Sequence, residues 1–251
     1  KDWDIQINYG IKTGYNDAFI INTEKRDEIL SNCQSEDERT RTAELIRPIL
    51  RGRDIKRYGY NWANLWLINT HNGIRGKLER VHIEDYPAIK AHLDQYWDRI
   101  SKRADKGDTP YNLRNCAYLE DFSKPKILWK RVGSILRFCY NDNEALGLDS
   151  TCFALGNNIE FVCCVLNTPM GHYLLKDAPK TGTGDLLISV QAVEPIKLPS
   201  VTYEINIEFK RLLEMMIANC SDDIENEISQ KIFNLYGLSH EEQKYIEENF
   251  T

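Results

Sequence analysis

Two glycines four residues apart, Gly10 and Gly14, constrain the local fold more than any other feature of this sequence. They lie within residues 9–21, where polar side chains precede an alternating apolar stretch. Glycine tolerates backbone angles that a side chain forbids, so we predict a tight turn between two strands, with Phe19 and Ile21 facing the core. The side chains predicted to project outward are Lys12, Thr13 and Asn16. Such a turn suits contact with a phosphate or a base edge, and it is equally compatible with an ordinary hairpin.

Composition limits the class of protein. With 251 residues, 42% of them hydrophobic, the chain is long enough for one large domain or two smaller ones. No apolar run approaches the roughly 18–20 residues of a membrane helix, so we expect a soluble protein without a membrane partner. Seven cysteines without a Cys-x-x-Cys pair argue against a disulfide scaffold or a zinc site and predict a cytoplasmic location. Because the first residue is not methionine, we expect a piece of a longer protein.

The charge is unevenly distributed along the chain. Although the net charge is −6, residues 1–140 hold 25 Lys and Arg against 20 Asp and Glu, whereas residues 141–251 hold 7 against 18. Attraction to phosphate is local, because salt screens exposed charges beyond about 8–10 Å. The first part of the chain can therefore present a basic surface on a protein that is acidic as a whole.

Helix and strand signals alternate and predict an α+β fold. Helices are predicted over residues 23–30, from 36 until Pro48 ends the helix, 87–102 and 161–175, the last broken at Pro169. Strands are predicted over residues 65–68, 126–130, 134–140, 146–148 and 151–153, with extended chain again over 186–198. Residues 103–116 have no apolar period and are predicted to form an exposed loop.

The character of the chain changes after Pro199. Apolar stripes predict a long helix near 202–219 and a second helix that ends at Gly237, and Ser239 opens a third with a capping box. We therefore predict a β-rich domain with interspersed helices over 1–199 and a small helical unit over 200–251 that packs on it. The helical unit has 4 basic and 11 acidic residues, so we expect it to face away from phosphates.

The densest basic run surrounds Gly52. Its candidate phosphate- or base-contacting residues are Arg47, Arg51, Arg53, Lys56 and Arg57. The planar fork of an arginine matches the geometry of a phosphate or a guanine edge. A solvated surface loop with internal salt bridges explains the same pattern, and the run alone does not decide between the two.

Two further segments are candidates for nucleic-acid contact. Lys130 and Arg131 follow Trp129 at a predicted strand end, a pairing of base and aromatic residue that is common at nucleic-acid surfaces and also in sheet packing. Residues 179–185 contain two glycines but lack the spacing of a phosphate-binding loop. We expect a polar loop that can approach DNA through Lys180, Thr181 and Thr183.

Catalytic and metal-binding patterns are absent from the sequence. The five histidines have no metal-ligand spacing, there is no Gly-x-Ser-x-Gly elbow, and no two prolines are adjacent. The only Gly-x-Gly does not stand between a predicted strand and helix. We therefore assign no catalytic residue, no metal ligand and no cofactor to this chain. One alternative stays open, an autonomous metal-dependent nuclease or nucleotide hydrolase that uses Asp54 or Glu208, each of which begins an acid-x-Lys triplet.

The order of several segments resembles a known family. The segments that carry the resemblance are residues 10–19, 46–55, 124–131 and 165–168. Together they resemble the TaqI-like specificity domain, the target-recognition domain of adenine-specific DNA methyltransferases and of fused type IIG restriction-modification enzymes. The likeness spans roughly residues 5–240.

The resemblance implies a module that reads DNA sequence and is not itself an enzyme. Its implied partners are duplex DNA and a covalently linked upstream methyltransferase domain. That missing domain would hold S-adenosylmethionine, and a nuclease domain, where present, would hold magnesium. The recognition sequence varies between members and is not implied. A third interpretation is a protein-interaction scaffold whose acidic helices dock a partner.

Overall fold

The computed structural model describes residues 3–250, and the fold is α+β, as predicted. The strands are β1 Ile5–Tyr9, β2 Ile20–Asn22, β3 Ile46–Leu50, β4 Leu65–Ile68, β5 Lys126–Lys130, β6 Val132–Gly133, β7 Phe138–Asn141, β8 Leu146–Gly147, β9 Thr151–Gly156 and β10 Leu186–Leu187. The helices are α1 Asn16–Phe19, α2 Thr23–Ser31, α3 Glu36–Leu45, α4 Pro87–Asp94, α5 Trp97–Ile100, α6 Ile159–Asn167, α7 Pro169–Leu174, α8 Val190–Val193, α9 Tyr203–Ala218, α10 Asp222–Tyr236 and α11 His240–Asn249.

Two four-stranded sheets organise the fold. The first has the strand order β1-β9-β5-β7 and is antiparallel throughout. The second has the order β2-β4-β3-β8, in which only the β3–β8 pair is parallel. The tip between β5 and β7 contains β6, which pairs with β10 and so brings the chain after residue 180 beside this tip. Regions far apart in sequence therefore meet at the end of the first sheet.

The apolar core consists of two clusters. One covers the second sheet and the helices α1 to α5, and includes Phe19 and Ile49. The other joins one face of the first sheet to the helices from α6 onward, with Trp129 and Phe138 packed in the same cluster as Phe209. The C-terminal helices thus pack on the β-rich part of the chain. The domain boundary at residue 199 stays a prediction.

The strongest local signals gave the correct elements. Strands β4 and β5 have the predicted bounds, and α6 and α7 are separated before Pro169 as expected. Gly237 adopts a positive φ of 68° at the end of α10, and the Ser239 capping box opens α11. Each of these signals depends on a few adjacent residues, which is why the sequence alone sufficed.

Several predicted boundaries were wrong. Helix α3 ends at Leu45, because residues 46–50 form the strand β3, in which residues 46–48, including Pro48, pair with β4 and residues 49–50 pair with β8. The helix predicted over 87–102 is two helices separated at Gln95 and Tyr96. The strand predicted to start at residue 134 starts at Phe138.

Two predicted segments match their predictions over only part of their length. The extended segment 186–198 keeps only the two strand residues of β10 before α8 begins. The loop 103–116 contains no helix or strand, but it is not wholly exposed. Its residues Arg103 and Asn112 are buried, because they hold neighbouring backbone segments together through hydrogen bonds. Within residues 3–250, no helix is long and apolar enough to cross a membrane.

Candidate nucleic-acid interface

A cleft of about 580 Å³ brings three of the predicted segments together. It contains Asn16 from the turn after β1, Arg53 from the run around Gly52, and Lys130 from the end of β5. The full lining is Asn16, Asp17, Ile20, Arg51, Gly52, Arg53, Leu65, Lys130, Leu148 and Ser150. The cleft lies at the ends of strands from both sheets, since Leu65 begins β4 and Lys130 ends β5.

The turn that carries Asn16 differs from the predicted hairpin. Gly14 has a positive φ of 71°, as a tight turn requires, but a short helix, α1, follows before β2 begins. Thr13 is buried rather than outward-facing, because its hydroxyl donates to Asn16 Oδ1 at 2.5 Å. Asn16 is exposed, and Phe19 is buried as predicted. The turn therefore presents an amide to the cleft.

Arg51 stabilises the turn that presents Arg53. Its guanidinium makes a bidentate contact with the buried Asp54 carboxylate, at 3.0 and 2.8 Å. The hydrogen bonds with Asp54 raise the pKa of Arg51. Gly52 packs closely against the first sheet: its N–H donates to Ser150 Oγ at 3.0 Å, and an added Cβ would lie 2.7 Å from Lys130 Cγ. Arg53 itself is exposed at the cleft.

Three other predicted basic residues are held by contacts within the protein. Arg57 donates to the Asn167 carbonyl at 2.6 Å and pairs with Glu225, which joins the basic run to α10. Arg47 donates to the Glu144 carbonyl at 2.6 Å, and burial lowers its pKa. Lys12 pairs with Asp105 at 2.8 Å. The cleft contains none of these three side chains.

The tip between β5 and β7 forms a basic surface beside the cleft. Arg131 lies against the face of Tyr9, with its guanidinium carbon 6.0 Å from the ring centre. The β6–β10 pair places the loop 179–185 next to this tip. In that loop the hydroxyls of Thr181 and Thr183 lie 2.8 Å apart, and Lys180 is exposed.

The predicted cations therefore fall into two groups. For the part of the chain that the structure describes, no ion pair holds Arg53, Lys56, Lys130, Arg131 or Lys180. Arg47, Arg51, Arg57 and Lys12 are paired with acidic side chains. In the first group, Arg53, Lys130 and Lys180 are exposed, and Lys56 and Arg131 are half-buried. A cation without an intramolecular ion pair keeps its attraction for an external anion, so this group is the one suited to phosphates.

Asp54 and Glu208, the two acids of the nuclease alternative, lie in different parts of the fold, and each pairs with a basic side chain. Asp54 is buried against Arg51, and Glu208 pairs with Lys231 at 2.7 Å on the C-terminal helices. Among residues 3–250, no group of three His, Cys, Asp or Glu could hold a metal ion. The Gly182–Gly184 loop leads into a two-residue strand rather than a helix, so it does not fit a methyl-donor site.

Some residues of the cleft gave no signal in the sequence. Ile20 and Leu65 line it because β2 pairs with β4, and Leu148 and Ser150 line it from the turn between β8 and β9. No local sequence pattern indicates that these residues meet. Arg137 is a further cation of the tip between β5 and β7 that was not assigned a role. Its position in a segment without acids, residues 124–137, is the signal that could have identified it.

Comparison with known proteins finds a type II methyltransferase of similar sequence and two solved restriction enzymes of similar fold. No family model matches the sequence. The chain is 22% identical to the type II methyltransferase M.BanIII of Aneurinibacillus aneurinilyticus, over 93% of its own length and 41% of that protein's. Its fold resembles the type IIL restriction-modification enzyme MmeI, solved in complex with DNA, with a TM-score of 0.65, 11% identity, and coverage of 93% of this chain and 33% of that one.

A second solved structure also has a similar fold. The type IIG restriction endonuclease BpuSI has a TM-score of 0.52 and 12% identity to this chain, with coverage of 84% of this chain and 25% of that one. The chain thus spans about two fifths of the curated relative and a third or less of each solved enzyme.

Proposed function

We propose that this chain is the sequence-specific DNA-recognition module of a restriction-modification enzyme, of the type II or IIG kind, with adenine as the methylated base. It would hold duplex DNA for a catalytic domain elsewhere in the parent polypeptide. The observation that carries the proposal is the cleft, in which unpaired Arg53 and Lys130 stand beside the amide of Asn16. The similarity to a type II methyltransferase and to MmeI and BpuSI supports the same class of function.

The free cations are suited to the DNA backbone. We assign Arg53, Lys56, Lys130 and Lys180 to phosphate contacts, which fix the position of the duplex without reading sequence. Thr181 and Thr183 offer hydroxyls to the same backbone. Each neutralised phosphate releases counterions, so these contacts should make binding strongly dependent on salt.

Asn16 and Arg131 are the best candidates for base contacts. An asparagine amide can pair with the N6 and N7 positions of adenine, and an arginine fork with the O6 and N7 positions of guanine. The remaining predicted residues, Lys12, Thr13, Arg47, Arg51 and Arg57, act mainly by holding these side chains and the fold in place. Of these roles, base contact by Asn16 makes the most specific prediction, because it names adenine as the base.

The chemistry would belong to other domains of the parent protein. S-adenosylmethionine would bind the methyltransferase domain, and magnesium a nuclease domain if the parent also cleaves DNA. Among residues 3–250, no group of three His, Cys, Asp or Glu could hold magnesium, and the Gly182–Gly184 loop leads into a strand, so we assign no step of methyl transfer or cleavage to these residues.

Binding and turnover can be tested together on the 251-residue chain. Fluorescence anisotropy with a labelled duplex of about 30 base pairs, between 50 and 200 mM salt, should give a log K against log[salt] slope of about −0.9 per phosphate contacted, hence about −4 for the four assigned cations. Selection from a randomised duplex library should enrich a defined sequence. Salt-independent binding, no enrichment, or cleavage of DNA by the chain in magnesium would contradict the proposal.

A further inference from the structure

The turn that carries Asn16 rests on a second loop. Gly14 lies so close to residues 103–116 that an added Cβ would be 2.7 Å from the Asp105 carbonyl oxygen. On the outer side Lys12 pairs with the Asp105 carboxylate at 2.8 Å, and hydrogen bonds to Lys12 lower the pKa of that carboxyl. The position of the turn is therefore set by a loop that contributes no residue to the cleft.

Arg103 is the centre of the contact between turn and loop. It is 7% exposed, and its two terminal nitrogens donate to four backbone carbonyls. The acceptors are Thr13, Asp105 at 2.6 Å, Pro110 at 3.1 Å and Asn112. Its guanidinium carbon also lies 4.5 Å from the centre of the Phe19 ring. One buried side chain thus ties the turn after β1 to residues 105–112 of the loop.

A short chain of contacts leads from Arg103 to the cleft. Arg103 holds the carbonyl of Thr13, and the Thr13 hydroxyl donates to Asn16 Oδ1. That bond fixes the orientation of the amide, because the oxygen faces Thr13. Among residues 3–250 the amide Nδ2 of Asn16 has no hydrogen-bond partner and can donate to a base, and Oδ1 keeps a second lone pair that can accept from the same base.

We propose that Arg103 is a positioning residue for base recognition, which fixes the Thr13–Asn16 turn and so determines the base preference read by Asn16. This inference rests on the proposed function. Arg103 contributes no atom to the cleft, so it acts only through the turn. A residue needed only for folding would change stability and leave the preferred sequence of the folded protein as it was.

Four variants of the 251-residue chain test this role. Arg103→Met removes the guanidinium group and keeps an unbranched side chain, whereas Arg103→Lys keeps a positive charge and three hydrogen-bond donors. Gly14→Ala displaces the turn through a different contact, since a β-carbon there meets the Asp105 carbonyl and φ is 71°. Asn16→Ala removes the proposed reader itself.

The matched control is Lys126→Met. Lys126 is a fully buried cation that also donates to neutral oxygens, of Asn141 at 2.7 Å and of Asn143 at 2.6 Å. It lies at the opposite end of β5 from Lys130 and so leaves the cleft intact. Urea unfolding and near-UV circular dichroism of every variant establish which proteins are folded.

The readout is the ratio of affinities for the duplex enriched by the wild-type chain and a scrambled duplex. We expect Asn16→Ala, Arg103→Met and Gly14→Ala each to lower this ratio by about tenfold or more at the same base pair. Affinity for the scrambled duplex should change less than about twofold, because phosphate contacts remain. Arg103→Lys should recover part of the preference, and Lys126→Met should keep all of it.

The outcomes separate the two proposals. If the wild-type chain enriches no sequence, or Asn16→Ala keeps every preference, the proposed function of the cleft fails. If Asn16→Ala loses a preference that folded Arg103→Met and Gly14→Ala retain, only the positioning role fails. Should Arg103→Met not fold, Gly14→Ala and Arg103→Lys decide the question. Equal loss of preference in Lys126→Met would also overturn the positioning role.

Discussion

Arg51 and Arg53 stand two residues apart and have different surroundings. Arg51 makes three hydrogen bonds to the buried carboxylate of Asp54, one of them from its backbone N–H. Arg53 is exposed and lines the cleft without an acidic partner. We therefore propose two separate roles for the same residue type, one in stabilising the turn and one in binding an external anion. The pair offers a test of that division.

Substitution of Arg53 by alanine should weaken DNA binding, whereas substitution of Arg51 by alanine should lower the stability of the fold. Arg53→Ala should weaken binding to all DNA sequences about equally and reduce the salt slope by about 1, with little change in stability. Arg51→Ala should lower the free energy of unfolding by about 3 kcal/mol, because the buried Asp54 carboxylate loses its opposite charge and both guanidinium hydrogen bonds and keeps only the backbone N–H of residue 51. Anisotropy and urea denaturation measure the two effects. A destabilised Arg53→Ala beside a stable Arg51→Ala would reverse the assignment.

Lys126 should make stability depend on pH. Burial, reinforced by the nearby charge of Arg47, lowers the pKa of Lys126 from 10.5 to about 8. Between about pH 8 and 10.5 the unfolded chain keeps this proton and the native protein has lost it, so stability rises with pH in that range, by at most ~1.4 kcal/mol per unit. The difference between wild type and Lys126→Met, in urea titrations from pH 7 to 10.5, isolates this group. A difference that does not vary with pH would contradict the lowered pKa.

At the scale of elements, the cleft is assembled from parts with no shared sequence signal. The basic run, the Asn16 turn and Lys130 were each predictable, because glycine spacing, charge clustering and strand periodicity are local properties. Their convergence was not, since it follows from how β9 pairs with both β1 and β5. The split of the predicted basic residues into paired and free groups was also invisible, because Asp105 and Glu225 are distant in sequence from Lys12 and Arg57.

The close packing of Gly52 on β5 gives a prediction at this scale. In Gly52→Ala the new Cβ would lie 2.7 Å from Lys130 Cγ and 3.1 Å from the Ser150 carbonyl oxygen, so the turn must move away from the end of β5. We expect a loss of about 1–3 kcal/mol in the free energy of unfolding and weaker DNA binding, because Arg53 and Lys130 separate. Gly59→Ala is the matched control, since a Cβ there has nothing within 4 Å. Equal behaviour of the two variants would count against close packing at Gly52.

At the scale of the whole molecule, the cations of the cleft and the acidic C-terminal helices belong to different parts of the fold. The cleft and the tip between β5 and β7 carry Arg53, Lys130 and Arg131, which have no acidic partner among residues 3–250, and the acidic helices after residue 200 pack on the first sheet through α9 and α6. Residues of α9 such as Phe209 and Leu212 are almost fully buried in that cluster. We infer that these helices brace the β-rich part and face away from phosphates.

Replacement of Phe209 by alanine should lower the stability of the fold without changing how DNA binding depends on salt. Phe209→Ala should cost about 3–5 kcal/mol of folding free energy, because a buried aromatic ring is lost from the second cluster. The salt slope of DNA binding by the folded protein should stay unchanged. Thermal unfolding and anisotropy at a temperature where the variant is folded measure both, with exposed Ile207 replaced by alanine as the control. A changed slope would link these helices to the DNA surface.

Lysine protection by DNA tests the orientation of the protein most directly. The chain is modified with an amine-reactive reagent, with and without the enriched duplex, and each lysine is quantified by mass spectrometry. We predict protection of Lys56, Lys130 and Lys180, while Lys210 and Lys244 on the acidic helices react equally in both samples. Protection of Lys210 and Lys244, with Lys130 unaffected by DNA, would contradict the account.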